Sequence, residues 1–192
     1  RQSPDDEITG LRIEAASRLM RNQATIVVAP ASALLMPLIP PHALELGSLE
    51  LKVGEECDPD ALCSHLVDCG FERVAAIDGI GQFSSRGGIL DIFPFGVEHP
   101  YRCEFFDDEI ESIRVFDVNS QRSLSTCEEA WVMPAREVLL GSPFYEDYLQ
   151  RIDDADAGQA LAPLKDQLEL GESLEGIESF AALLYGRDNG LF

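Results

Sequence analysis

The chain has 192 residues, 45% of them apolar, which suits one large or two small globular domains. Its 14 basic and 35 acidic residues give a formal net charge of -21. This charge argues against autonomous nucleic-acid binding, because phosphate backbones attract clustered Lys and Arg. It favours a partner with a basic surface. No apolar run approaches the ~18–20 residues of a membrane span, so we expect no membrane contact.

The first 48 residues have the rhythm of an α/β domain. Apolar residues recur at helical spacing between Ile8 and Met20, which predicts a helix. Residues 25–29 are apolar and partly β-branched, a pattern typical of a strand buried on both faces of a parallel sheet. A turn and short helix are predicted over residues 30–38, and the prolines that follow indicate a domain boundary near residues 38–48.

Residues 49–126 predict a compact α+β unit, in which one helix packs against a small antiparallel sheet. Residues 48–53 alternate as a strand does. Asp58 is a candidate N-cap with Pro59 at the first helical position, which predicts a helix through Cys69. Residues 71–78 are predicted to form another strand.

The centre of this unit, residues 81–117, predicts a four-stranded antiparallel meander. Two-residue turns are expected at Gly87-Gly88, where glycine is favoured because φ is positive, and at Asp107-Asp108. The predicted strands are Gln82–Arg86, Ile89–Phe93, Tyr101–Phe106 and Glu109–Phe116.

The two-residue period of a strand assigns the side chains of the meander to two faces. In the last hairpin the expected core face consists of Tyr101, Cys103, Phe105, Ile110, Ser112 and Arg114. The expected opposite face consists of Arg102, Glu104, Phe106, Glu109, Glu111 and Ile113, with Glu104 opposite Glu111. In the first hairpin, Arg86 and Asp91 fall on this same polar face. Together with Arg86, that face holds two arginines and a Phe, the residue types enriched in protein–protein contacts. The alternative is an ordinary solvated face with one exposed Phe.

Residues 127–192 are expected to return to α/β or helical structure. Residues 128–133 predict a strand that carries Trp131. A helix is predicted from Ser142-Pro143 through Ile152, a second helical pattern over residues 153–170 is interrupted at Pro163, and residues 172–185 form an amphipathic segment.

The sequence shows no catalytic constellation. It has no phosphate-binding GxxxxGK[ST] motif, and its three histidines lack recognisable partners. The five cysteines have no CxxC pair, so we expect free, structural thiols in a cytoplasmic protein. Cys63 and His65 lack a second ligand pair at a usual spacing. We therefore expect no catalytic, cofactor-binding or metal-binding residues.

The meander segment FSSRGGILDIFPFGVEHPYRCEFFDDEIESIRVFD, followed by NSQRSL and VMPARE, resembles the N-terminal module of bacterial transcription-repair coupling factors (Mfd), which is similar to the excision-repair subunit UvrB. IVVAPASALLMPLIPP and GESLEGIESFAALLYG extend the resemblance over most of the chain. Because the sequence begins with Arg1, we expect an internal fragment of a longer protein.

This resemblance implies part of a helicase-like α/β domain over residues 1–48, interrupted by a UvrB-like insert over residues 49–126 that binds the excinuclease subunit UvrA. The family's contact positions match Arg86, Arg102 and Phe106, and we expect these three side chains to be solvent-accessible on one surface of the insert. The resemblance also implies that the parent protein is an ATP-dependent DNA translocase. Only domains absent from this chain would bind ATP, Mg, RNA polymerase and DNA.

Two other functions stay open at this point. The chain could be a fragment of UvrB itself, which an intact GxxxxGK[ST] motif upstream of Arg1 would indicate. It could also be a stand-alone enzyme or phosphate binder that uses the Gly87-Gly88 turn and the acidic pairs Asp107-Asp108 and Glu128-Glu129.

We predict that the isolated chain does not hydrolyse ATP and binds duplex DNA only weakly, because it lacks a P-loop motif and carries a net charge of -21. A turnover assay and a DNA titration at physiological salt test this. Measurable ATP turnover, or sequence-independent DNA binding below micromolar concentration, would contradict it.

Overall fold

The computed structural model describes residues 4–23, 26–34, 36–141, 143–155, 158–170 and 177–186. The α-helices are α1 (Pro4–Met20), α2 (Ala31–Leu34), α3 (Pro41–Gly47), α4 (Pro59–Asp68), α5 (Phe144–Asp154), α6 (Gly158–Leu170) and α7 (Ala181–Leu184), with a 3-10 helix over Ile177–Phe180. The strands are β1 (Leu49–Lys52), β2 (Glu72–Arg73), β3 (Gln82–Arg86), β4 (Ile89–Phe93), β5 (Tyr101–Phe106), β6 (Glu109–Phe116), β7 (Ser123–Cys127) and β8 (Glu129–Val132).

The fold is a mixed α/β arrangement with two sheets. The larger sheet has six strands in the order β2-β3-β4-β5-β6-β7, and all neighbours are antiparallel except β2 and β3, which are parallel. Strands β1 and β8 pair separately as an antiparallel ribbon. The predicted meander is therefore confirmed as the centre of a larger sheet, with the strand bounds expected from the sequence.

Both tight turns of the meander are confirmed. Gly87 and Gly88 have φ values of 52° and 84°, and they join Arg86 directly to its partner Ile89. A side chain at Gly88 would also crowd the backbone, because its Cβ would lie 3.2 Å from the carbonyl oxygen of Phe105. At the second turn, Asp107 has a φ of 52°.

The register of the last hairpin differs from the prediction because β6 contains a β-bulge. Phe106 pairs with Glu109 as expected, but Glu104 pairs with Ser112, so Glu111 is the additional residue. A bulge reverses the alternation beyond it. The predicted opposition of Glu104 and Glu111 is therefore wrong, Ile113 lies in the core, and Ser112 and Arg114 lie on the polar face.

Residues 26–29 are the clearest departure from prediction in the first third of the chain. Of the predicted strand 25–29, Thr25 lies outside the described residues, and Ile26, Val27 and Val28 are exposed and belong to no strand. Among the described residues no strand pairs with this segment. A strand of a parallel sheet is stable only between neighbours that satisfy its backbone.

Two further strands differ from prediction. The predicted strand 71–78 pairs over Glu72–Arg73 alone, and strand β7 was not predicted. In the C-terminal third, α5 begins at Phe144, and α6 continues through Pro163. Ser142 and residues 172–176 lie outside the described residues.

The hydrophobic core lies mainly on one side of the large sheet. There Phe83, Leu90 and Ile92 pack with Leu62 and Leu66 of α4. The same cluster continues to α1, α5 and α7. None of the helices in the described ranges is both long and apolar enough to cross a membrane.

A second, smaller apolar cluster lies elsewhere in the large sheet. It consists of Ile77, Phe93 and Phe116, with Val74 and Ile80 packed against it. The loop that follows β2 therefore folds back onto the sheet, where the Ala75 carbonyl also accepts a hydrogen bond from Ser84 Oγ at 3.0 Å.

The tertiary contacts at the C-terminal end centre on the Tyr185 hydroxyl. It donates to the Glu137 carbonyl and accepts from the Leu139 amide, both at 3.0 Å. Arg12 of α1 forms an ion pair with the buried carboxylate of Glu137. Helix α1 and the C-terminal helices are thus attached to the same segment that follows β8.

We predict that the thiols differ in native-state reactivity. Burial raises the pKa of Cys103 and of Cys69 to about 12, whereas Cys57 and Cys127 are only half-buried. Alkylation at mildly alkaline pH, followed by peptide mass spectrometry, should therefore label Cys57 and Cys127 first and label Cys103 and Cys69 only on unfolding. Equal labelling of all four, or a quantitative disulfide, would contradict this.

Candidate partner-binding face

One row of paired residues crosses the large sheet opposite the main core. Register places Ser84, Asp91, Arg102, Arg114 and Thr126 side by side on strands β3 to β7. Side chains directly opposite one another in neighbouring strands share a face, so this row is continuous.

A second row runs beside the first, nearer the two hairpin turns. It consists of Arg86, Ile89, Glu104 and Ser112. Phe106 lies two residues beyond Glu104 on the same strand and hence on the same face. We call the surface formed by both rows and Phe106 the arginine face.

Asp91 is the most deeply buried charged residue of the arginine face, with 1% of its side chain exposed. Its Oδ1 accepts from Arg102 Nε at 2.6 Å and its Oδ2 accepts from Arg102 Nη2 at 2.8 Å. Arg86 Nη2 also donates to Oδ2, at 3.4 Å. One buried carboxylate therefore contacts both arginines that the sequence nominated.

Arg102 is held from three directions. Besides its paired bonds to Asp91, its Nη2 donates to Gln121 Oε1 at 3.0 Å, and its guanidinium lies 4.2 Å from the centre of the buried Phe116 ring, within cation–π range. Its side chain is only 17% exposed. Hydrogen bonding to Asp91 raises the pKa of the Arg102 guanidinium, although burial opposes this.

Arg114 has its own acidic partner on the arginine face. Its Nη2 donates to Glu104 Oε2 at 2.7 Å, and Ser112 Oγ donates to the same oxygen at 2.7 Å. Arg102 and Arg114 are directly opposite each other in the sheet. Their like charges would repel if unpaired. Instead, Asp91 neutralises Arg102 and Glu104 neutralises Arg114.

Phe106 and Arg86 are the protruding residues of the face. Phe106 is 70% exposed at the end of β5, and the Arg86 side chain is 55% exposed. An exposed aromatic ring and an exposed guanidinium on one sheet face are the residue types that protein interfaces use as anchors.

The structure thus places all three nominated residues on one face, as expected, but it corrects their exposure. Arg86 and Phe106 are exposed as predicted, whereas Arg102 is largely buried. The acid that holds Arg102 is Asp91, whereas Glu104 holds Arg114.

Two residues of this face escaped the sequence analysis. Asp91 was placed on the correct face but was given no role, although an acid within the apolar strand ILDIF is a recognisable sign of a buried ion pair. Strict alternation along β6 predicts Arg114 on the core face. The bulge at Glu111 moves it to the polar face, and no residue type in the sequence indicates that bulge.

The features that could indicate other chemistry are the acidic side chains and the Gly87-Gly88 turn. Among the residues that the structure describes, no three His, Cys, Asp or Glu side chains are grouped as a metal site would require. At the Gly87-Gly88 turn, the Gly88 carbonyl accepts from the Phe105 amide at 2.7 Å, so this group serves the sheet.

Residues 49–138 match the sequence model of the UvrB interaction domain family. The match includes every residue of the arginine face. It defines the class of this part of the chain as a domain of protein–protein interaction.

Comparison with curated proteins extends the similarity over most of the chain. It is 36% identical over 154 residues to the transcription-repair-coupling factor of Bacillus subtilis, covering 80% of this chain and 13% of that protein. The corresponding protein of Escherichia coli is 38% identical over 135 residues, covering 70% and 12%. That of Haemophilus influenzae is 31% identical over 192 residues, covering 99% and 17%.

The chain therefore belongs to the transcription-repair coupling factor family, as its UvrB-like module. It spans only 12% to 17% of the length of these three relatives. The resemblance drawn from the meander motifs is thus confirmed.

We predict that truncating Phe106 and truncating Arg102 have effects of different size on stability. Phe106→Ala should change the free energy of unfolding by about 0.5 kcal/mol or less, because the ring is exposed. Arg102→Ala should cost roughly 3 kcal/mol, because it leaves the buried Asp91 carboxylate without its main partner. Thermal and urea unfolding measure both. Phe83→Ala, which empties a core position, is the destabilised control; a destabilised Phe106→Ala would contradict the assignment.

Proposed function

We propose that this chain is the UvrA-recruiting module of a transcription-repair coupling factor, and that the arginine face is the surface that binds UvrA in transcription-coupled nucleotide excision repair. The observation that carries the proposal is the exposed Phe106 ring on the same sheet face as three arginines, within the region that matches the UvrB interaction domain. The module itself is non-catalytic in this proposal.

The electrostatics of the face support a selective contact. The chain carries a net charge of -21, yet Arg86, Arg102 and Arg114 share one side of one sheet. Because Asp91 and Glu104 offset two of these charges, the half-exposed Arg86 is the guanidinium best placed to meet an acidic acceptor on UvrA, which the rest of the net acidic surface would repel. The association rate should then fall as salt concentration rises.

The residues of the face have different roles in this contact. Phe106 supplies an apolar anchor that becomes desolvated on binding, since its ring is exposed in the free chain. Arg86 is bonded to Asp91 only at 3.4 Å and is half exposed, so it can turn to an acceptor on the partner. The surrounding polar residues form the rim.

The remaining features of the parent protein follow the family. We propose that the parent protein is a cytoplasmic DNA translocase that displaces stalled RNA polymerase. ATP, Mg, DNA and RNA polymerase would then be bound by parts of the parent that lie outside this chain. The exposed apolar residues Ile26, Val27 and Val28 would then belong to a helicase-like parallel sheet whose other strands come from outside this chain.

We predict that Phe106→Ala weakens UvrA binding by at least ~25-fold, which corresponds to about 2 kcal/mol for a central anchor. Arg86→Ala should also weaken binding, because it removes the half-exposed guanidinium that would turn to an acceptor on UvrA. Biolayer interferometry with immobilised UvrA, over a series of salt concentrations, measures both affinity and association rate.

Matched controls come from elsewhere on the surface. Val67→Ala truncates a half-exposed apolar residue on α4, and Arg18→Ala removes a surface arginine of α1 that is paired with Glu14 at 2.7 Å. Both should bind UvrA as the unaltered chain does. Folded Phe106→Ala and Arg86→Ala variants with undiminished affinity would show that UvrA does not bind the arginine face.

A further inference from the structure

Asp91 is buried between its neighbours on the two adjacent strands of the sheet. It lies in β4, a strand whose other residues are apolar, and its neighbours in the row are Ser84 and Arg102. Ser84 is itself covered by the loop that follows β2, through its bond to the Ala75 carbonyl. With 1% of its side chain exposed, Asp91 is not accessible to a docking protein.

The paired hydrogen bonds from Arg102 give Asp91 control over that side chain. Two parallel bonds between a guanidinium and a carboxylate fix both the position and the plane of the guanidinium. Gln121 and the Phe116 ring hold the same group from other sides. Arg102 is consequently ordered before any partner arrives.

We propose that Asp91 is a positioning residue for UvrA binding: without touching UvrA, it fixes Arg102 in the arrangement that UvrA recognises. This inference rests on the proposed function. An unrestrained arginine must be ordered on binding, and the side-chain entropy of that step corresponds to roughly 2- to 12-fold in affinity per side chain.

Asp91 also makes the crowding of arginines possible. Arg102 and Arg114 are directly opposite each other, and Arg86 lies on the strand beyond Asp91. The Asp91 carboxylate lies between Arg86 and Arg102 and bonds both, while Glu104 neutralises Arg114. Without the charge of Asp91, Arg102 would have a cationic neighbour and no buried counter-ion.

The main test is Asp91→Asn, which keeps the size of the side chain and removes its charge. In the folded variant, UvrA affinity should fall by roughly 5-fold, because Arg102 loses its restraint. In the background of Arg102→Gln the same change should have a much smaller effect, because the main residue that Asp91 positions is already gone. Equal effects in both backgrounds would overturn the proposal.

A spectroscopic readout separates positioning from a general loss of stability. In the unaltered chain the Arg102 Nε–H should give a distinct, slowly exchanging side-chain resonance, since it donates to a buried carboxylate at 2.6 Å. Asp91→Asn should remove or broaden that resonance while the backbone spectrum of the core strands persists. An unchanged Arg102 resonance would show that Asp91 does not position this side chain.

A second variant keeps the proposal testable if Asp91→Asn does not fold. Gln121→Asn shortens an exposed side chain, suits the positive φ of 58° at this position, and should lose the bond to Arg102 Nη2 while both bonds to Asp91 remain. Because Asp91 fixes the guanidinium, the Arg102 Nε–H resonance should stay sharp and slowly exchanging in this variant. A broadened Arg102 resonance in the folded Gln121→Asn chain would show that Gln121 positions the arginine, and it would overturn the proposal.

The reference measurements distinguish this inference from the proposed function. If the unaltered chain does not bind UvrA, or if Phe106→Ala binds as well as the unaltered chain, the proposed function fails. If the unaltered chain binds, Phe106→Ala does not, and folded Asp91→Asn retains full affinity, the positioning role of Asp91 fails alone.

Discussion

A carboxylate with 1% of its side chain exposed in the middle of a sheet is the constraint on which the arginine face depends. Removing an ionised carboxylate from water is costly unless hydrogen bonds and an opposite charge compensate. At Asp91 the compensation comes from Arg102, which must therefore occupy one defined position. Arg102 is also one of the proposed contact residues. The bonds that compensate the buried Asp91 therefore also fix the position of a side chain on the partner-binding face.

That constraint operates because the sheet is covered on both sides. The main core packs against Phe83, Leu90 and Ile92, and the loop after β2 packs Ile77 against Phe93 and Phe116 elsewhere in the sheet. Phe116 then forms the platform under the Arg102 guanidinium. The smaller cluster thus serves the partner-binding face as well as stability.

Local rules predicted the centre of the fold well. Glycine and aspartate turns determined both hairpins, and alternation placed Arg86, Asp91, Arg102 and Phe106 on the face they occupy. These features depend on short-range backbone preferences, which the sequence expresses directly.

The rest depended on tertiary context. The bulge at Glu111 brings the buried Ile113 opposite the buried Cys103, and no residue type marks it. Strand β7 is polar and lies at a sheet edge, so it lacks apolar alternation. The apolar run 26–29 has the composition of a parallel strand, but such a strand requires neighbours, which the described residues do not provide.

The partial burial of Arg102 changes how a mutation at this position is interpreted. Truncation to alanine measures everything that the side chain does, including its compensation of a buried partner. A loss of binding on Arg102→Ala therefore combines a lost contact with a disturbed Asp91 and a released Arg86. Phe106 has no such second role, because its ring is exposed and lies outside the core clusters. The family pattern treats the three residues alike, whereas the structure separates one exposed anchor, one adaptable arginine and one arginine whose position is an inseparable part of the fold.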